Sequence, residues 1–435
     1  MHSIRAAALA AFVALATAGC ASSPVTVAAA TAAPRQSAAR PSVLLVSIDG
    51  FRADYMDLGI TPNLERIAAD GARAAWMTPS YPSLTFPNHY TIVTGLRPDH
   101  HGIVQNTMHD PVLGDFSLGR REAVGDGRWW GGEPVWVTAE NAGLPTATLF
   151  WPGSEAAIRG VRPRRWLPYD EEMTMAARVD RVLGWLSEPV ATRPRFATLY
   201  FDALDHAGHD SGPGSTEVRE AIVAVDEAIG RLLDGLEARG LADAVDLVVV
   251  SDHGMAPVAP DHVVAVEDMV DPADARVVSH GQSVGFEPLP GRVAAAETQL
   301  LGEHDHYACW RKGELPARWE YGTHPRVPAI VCQMDEGWDA SAREWMAKRP
   351  RTGNRGSHGF DPALESMRAI FLARGPSVRE GVVVPAFDNV DVYPLLMRLL
   401  ELEPVPNDGD ADALEVLETS QREDAAPRQG SGLPL

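Results

Sequence analysis

The chain has 435 residues and a formal net charge of −21, with 59 acidic against 38 basic side chains. That length suits one large domain or two to three average ones, and a hydrophobic content of 45% is ordinary for a globular protein. Such an acidic balance argues against tracking a nucleic-acid polymer by its backbone, which needs basic surface. A small phosphate ester stays open, because a bound metal supplies positive charge locally.

Residues 1–20 read as an export signal. His2 and Arg5 form a weakly basic start, and Ala6–Ala18 is apolar but too short to span a bilayer. The segment ends Leu15-Ala-Thr-Ala-Gly-Cys20, a lipoprotein-type cleavage box with Cys20 as the lipidated residue. The expectation is an exported protein, periplasmic or envelope-anchored, whose membrane contact runs only through a lipid on Cys20. Residues 21–41, rich in Ala, Ser, Thr and Pro, read as a flexible linker. Setting Cys20 aside leaves Cys309 and Cys332, an even pair that predicts a disulfide in an exported chain.

Regular structure is predicted to begin with Val43–Ile48, a continuous apolar run typical of a strand buried on both faces, ending at Asp49-Gly50. Pro62–Arg73 reads as a helix with Thr61 as its cap. In Thr78–Asn88, three prolines forbid a regular element until Pro87, which fits the first turn of a helix. Thr85 is therefore expected at a helix N-terminus, where unpaired N–H groups and the helix dipole favour negative charge. His100-His101 reads as a solvated loop. Glu133–Asn141 and Glu171–Leu186 are predicted helices, and Phe196–Phe201 a second buried strand.

Asp205 and His209 follow in a short Gly-containing loop. Thr216–Arg239 is the most regular helix, with Val218, Ile222, Val225, Ile229, Leu232 and Leu236 on one stripe. Leu247–Ser251 is a third buried strand, ending in Asp252-His253. Asp261–Asp305 suggests an insertion with short strands. Strands at 328–333 and 367–373, a Gly-rich loop bearing His358, and a helix over Asn389–Leu400 complete the folded part. Residues 403–435 read as an acidic, disordered tail.

Strands alternating with helices indicate an α/β fold with a largely parallel sheet, whose ligands sit beyond the carboxyl ends of the strands. Asp49, Asp205, Asp252 and His253 all lie just past a predicted strand, so they can converge on one rim. With His209 and His358 they form a mixed carboxylate and imidazole set that suits zinc, and six protein ligands suit two metals better than one. That convergence argues for one domain, 42–402.

Taken together, Leu45–Arg52, Pro79–His89, Asp205–Asp210, Val250–Met255 and Gly356–Gly359 resemble the nucleotide pyrophosphatase/phosphodiesterase family of the alkaline phosphatase superfamily. The chain is identified with a bacterial member. The resemblance implies an alkaline-phosphatase-like sandwich of helices around the sheet and two zinc ions per chain. It places one zinc on Asp205, His209 and His358, and the other on Asp49, Asp252, His253 and the Thr85 oxygen. It makes Thr85 the nucleophile and Asn106 a donor to phosphate oxygen. It also implies that a nucleotide base stacks between Phe86 and Tyr200, with Leu118 lining the slot.

The implied reaction is hydrolysis of nucleotide pyrophosphate and phosphodiester bonds by a monomer. Asp202 is a rival to Asp205, which keeps the family's spacing to His209. The extra N-terminal and C-terminal modules of animal members have no counterpart in the sequence. Alternatives are a phosphate monoesterase or phosphonate hydrolase on the same two-zinc core, or a metal-free binding protein on this fold.

Overall fold

The computed structural model describes residues 40–348 and 355–419. The expected signal, Cys20 and nearly all of the expected linker lie outside them. At the centre is the strand Ser42–Ile48, with all seven residues buried. Its side chains alternate between two cores: Val43 and Leu45 join one apolar cluster, and Leu44, Val46 and Ile48 join the other. A run of Val, Leu and Ile without polar alternation is what a strand covered on both faces requires.

This strand pairs in parallel with Phe196–Phe201 on one side and Val245–Val250 on the other. From edge to edge the eight-stranded sheet runs 382–384, 72–74, 371–374, 245–250, 42–48, 196–201, 146–149, 165–167. Only Phe371–Arg374 runs against its neighbours. The α/β expectation holds. Helices Pro62–Ala69, Met175–Leu186 and Thr216–Ala238 cover one face, and Thr85–Thr94 and Val392–Leu400 the other.

Helix Thr216–Ala238 buries the whole predicted stripe, and the Ser215 hydroxyl caps it by accepting from the Val218 N–H at 3.1 Å. Helix Pro62–Ala69 is shorter than expected because Ala72–Ala74 leaves to become a sheet strand. Thr61 does not cap it. The buried Asp226 of the long helix accepts instead from the N–H groups of Asn63 and Leu64, at 3.1 and 2.9 Å.

Residues 261–334 contain a second sheet, antiparallel and five-stranded, in the order Ala275–Ser279, Ser283–Pro288, Ile330–Met334, Tyr307–Arg311, Gly302–His304. The predicted disulfide is present: Cys309 and Cys332 face each other on paired strands and are bonded. Arg326 ties this module to the segment 99–130. Its guanidinium donates to the carbonyls of Gly102, Trp129 and Arg128 at 2.8, 2.6 and 3.2 Å, and to Asp110 at 2.9 Å. Asp99 accepts in turn from the N–H groups of Gly322, Thr323 and His324.

Two expectations are corrected. His101 is not in a solvated loop but buried at the end of a short helix, with Nε2 3.0 Å from the Thr91 hydroxyl. Packing also continues past residue 402: Leu414 and Leu417 are buried in the core beside the 392–400 helix. Residues 420–435 lie outside the described residues.

Removing the Arg326 guanidinium orphans three carbonyls and one oxygen of the Asp110 carboxylate. Arg326→Ala is expected to lower unfolding free energy by about 3 kcal/mol. Urea denaturation measures it; a midpoint equal to that of the unchanged protein contradicts the clamp.

Candidate active site

Asp49, Asp252 and His253 sit just beyond the carboxyl ends of the two central strands, and all three are buried. Asp205 and His209 are not in a loop as expected. They lie on helix Ala203–Ser211, at i and i+4 on one face, with His209 Nε2 3.4 Å from Asp205 Oδ2. Gly50, at a positive φ of 69°, lets this helix approach: a Cβ there would sit 3.2 Å from Asp205 Oδ1. His358 follows strand Arg355–Ser357. Gly356 in that strand brings it against the same helix, since a Cβ would lie 2.4 Å from the Gly208 carbonyl oxygen.

Each imidazole is oriented by a backbone carbonyl. Nδ1 of His358 donates to Ser83 O at 2.9 Å, that of His209 to Gly356 O at 3.1 Å and that of His253 to Gly254 O at 2.9 Å. A carbonyl only accepts, so Nδ1 carries a proton in all three, and each ring when neutral presents an Nε2 lone pair. Those lone pairs converge. His358 Nε2 lies 3.1 Å from His209 Nε2 and 3.7 Å from Asp205 Oδ1. His253 Nε2 lies 3.0 Å from Asp252 Oδ2, 3.4 Å from Asp49 Oδ1 and 3.2 Å from Thr85 Oγ1.

Two acceptors facing each other at 3.1 Å repel unless a cation lies between them. Buried oxygens of Asp49, Asp205 and Asp252 also lack any hydrogen-bond partner. Donor atoms of Asp49, Asp252 and His253, and of Asp205, His253 and His358, lie close enough to share an ion. The residues therefore fit bound metal.

Charge in the protein alone is strained accordingly. Burial, then the carboxylates of Asp252 and Asp205, push the Asp49 carboxyl well above its ordinary range. Burial would raise Asp252 too, but the imidazoles of His253 and His89 hold it well below. Burial, with the neighbouring His253 and His209, holds His358 far below its ordinary value, keeping its lone pair available.

Thr85 is the first residue of helix Thr85–Thr94. Its N–H meets no acceptor among the described residues. Asn106 Oδ1 accepts from the Phe86 N–H at 3.0 Å, which leaves its Nδ2 hydrogens directed elsewhere. Gln105 sets that loop: its Oε1 accepts from the Asn106 N–H at 2.6 Å, and its Nε2 donates to Ser283 O at 3.0 Å. Sequence reasoning missed Gln105 and also His89, one helical turn after Thr85. His89 Nδ1 lies 2.9 Å from Thr85 O and 3.2 Å from Asp252 Oδ2. The i, i+4 spacing of His89 from Thr85 is the signal that was available.

Two expected residues fall elsewhere. Tyr200, expected to face Phe86 across a base, is not among the ring neighbours of Phe86. It is buried, its hydroxyl donates to Asp49 Oδ2 at 2.5 Å, and its ring meets His89 edge-on. Phe86 has Phe116 and Trp130 as ring neighbours, not Tyr200. Leu118, 39% exposed, follows the hairpin strand Gly114–Ser117. Asp202 is no rival to Asp205: both its oxygens accept from the buried Arg178, at 3.1 and 3.2 Å, and one accepts from Tyr169 at 2.5 Å. Asp202→Ala strands the Arg178 charge, and a loss of about 3 kcal/mol of stability is expected. Chemical denaturation checks it; a loss well under about 1 kcal/mol would place Arg178 in contact with solvent.

The sequence profile of the type I phosphodiesterase / nucleotide pyrophosphatase family matches residues 43–361. The chain is 36% identical over 392 residues to ectonucleotide pyrophosphatase/phosphodiesterase family member 3 of Rattus norvegicus, covering 87% of this chain and 44% of that protein. It is 36% identical over 407 residues to the venom phosphodiesterase CdcPDE of Crotalus durissus collilineatus, covering 90% and 48%. The chain thus spans less than half the length of these curated relatives. Among solved structures, murine ectonucleotide pyrophosphatase/phosphodiesterase 5, an inactive variant in complex with AMP, superposes with a TM-score of 0.82 at 33% identity, covering 87% of this chain and 100% of that one.

Proposed function

The chain belongs to the type I phosphodiesterase / nucleotide pyrophosphatase family, and on that premise we propose that it hydrolyses nucleotide pyrophosphate and phosphodiester bonds through a covalent threonyl intermediate. The observation that carries the proposal is the convergence of three Nε2 lone pairs and three unpartnered carboxylate oxygens beside a hydroxyl at a helix N-terminus. Asp205, His209 and His358 would hold one zinc; Asp49, Asp252 and His253 the other, next to Thr85 Oγ1. Zinc supplies Lewis acidity there, favouring a deprotonated hydroxyl and offsetting phosphate charge.

The steps fall to the chain's own atoms. Thr85 Oγ1 forms a bond to phosphorus as the bond to the leaving oxygen breaks. Water then attacks the threonyl phosphate from the opposite side and releases Thr85. The Thr85 N–H and Asn106 Nδ2 point donors at the non-bridging oxygen on which charge develops. The helix dipole adds to the same effect. Phe86 and Pro87 make the neighbourhood of Thr85 apolar, which suits a singly charged diester better than a doubly charged monoester.

Export is part of the proposal. A cross-strand disulfide persists in an oxidising compartment, and the lipoprotein-type ending at Cys20 agrees with a bacterial envelope protein. No helix among the described residues is long and apolar enough to cross a membrane.

Thr85→Ala is expected to fold as the parent does while losing turnover of a diester by a factor on the order of hundreds or more, and Thr85→Ser to keep part of it. Two displacements at phosphorus also give net retention with a chiral phosphorothioate diester. Inversion would mean direct attack by water and return Thr85 to a structural role.

A further inference from the structure

The edge strand Ala275–Ser279 of the five-stranded sheet packs beside the hairpin of Thr107–Asp110 and Gly114–Ser117. A groove of about 510 Å³ runs between them, lined by Thr107, His109, Asp115, Arg120, Arg276 and Val278, among others. It adjoins the Asn106 loop. Thr107 follows Asn106 directly, and the Phe116 ring in the groove wall lies 6.0 Å from the Phe86 ring. The strand is bulged: its register against Ser283–Pro288 shifts between Val277 and Ser279. Bulges of this kind re-aim side chains beside functional sites.

Charge in the groove runs against that of the whole chain. Arg276 is exposed and forms no hydrogen bond or ion pair among the described residues. Arg120 donates Nη1 to the backbone oxygen of Asp115 at 2.8 Å, and its carboxylate contact there is long, at 3.8 Å. His109 Nδ1 engages Oδ1 of Asp115 at 2.7 Å, and Arg276 acts on that carboxylate through charge alone. Two guanidinium forks therefore keep donors to spare on opposite walls. A protein with a net charge of −21 slows an anionic substrate unless the cleft inverts the field locally. Guanidinium matches phosphate by paired hydrogen bonds.

We propose that this groove is an anion subsite in which Arg120 and Arg276 bind a phosphate group of the substrate other than the one attacked at Thr85. The favoured substrates are then those carrying more than one phosphate. The proposal rests on the phosphodiesterase reading above, and it gives the antiparallel module a role in substrate selection. An arginine on an edge strand also discourages pairing with other chains, but that role is indifferent to the substrate.

The test compares kcat/KM for ATP with that for the p-nitrophenyl ester of thymidine 5′-phosphate, which carries one phosphate. In Arg276→Ala and in Arg120→Ala the ratio is expected to fall about tenfold, through KM for ATP. Raising salt to about 1 M should shrink the same ratio in the unchanged protein and less so in the variants. Ratios equal to that of the unchanged protein, or equal losses on both substrates, overturn the subsite while diester hydrolysis stands. Hydrolysis of neither substrate by the unchanged protein would instead overturn the phosphodiesterase reading, and the subsite with it.

Discussion

The structure depends on a concentration of negative charge that the chain's own groups do not neutralise. Asp49, Asp205 and Asp252 are buried around one point, each with an oxygen that accepts no hydrogen bond. The nearby imidazoles have their Nδ1 protons committed to backbone carbonyls and turn their Nε2 atoms to the same point. Burying an uncompensated carboxylate is costly. A cluster of three, with neutral lone pairs interleaved, is stable only when cations complete it. The same demand defines the chemistry, since the hydroxyl of Thr85 lies beside His253 Nε2.

Much of the fold is devoted to holding those atoms still. The central parallel strands end at Asp49 and Asp252, so the register of the sheet fixes two carboxylates. The Tyr200 hydroxyl ties one oxygen of Asp49 and leaves the other directed at the site. Arg178 and Tyr169 anchor Asp202 at the start of the helix that presents Asp205 and His209. The Asn106 loop is clamped by a module far along the chain, through Gln105, Asp99 and Arg326. These supports explain how a site assembled from six separated segments keeps its geometry.

What could be read in the sequence follows from where the information is local. Buried parallel strands announce themselves as runs such as Val43–Ile48, and the residue after each run falls on the ligand rim. Pro87 fixes the helix start at Thr85 from a handful of residues. The reading failed where a distant partner decides. Asp205 could be preferred to Asp202 only by its spacing to His209; the Arg178 that claims Asp202 is a distant partner. Tyr200 looks like any aromatic in a strand until Asp49 takes its hydroxyl. Helix Ala203–Ser211 contains Gly208 and two histidines, a composition that suggests a loop, yet it is held by packing against Met255 and strand 355–357. His101 gave no local sign that Thr91 would bury it.

The account stands on the claim that cations complete the carboxylate and imidazole cluster, with two zinc ions sharing it. Elemental analysis of the folded protein, purified without chelator and exchanged into metal-free buffer, measures this directly. About two zinc ions per chain is the predicted result, with chelation lowering the unfolding temperature. One zinc or none, in a protein whose unfolding temperature is indifferent to chelator, would contradict it.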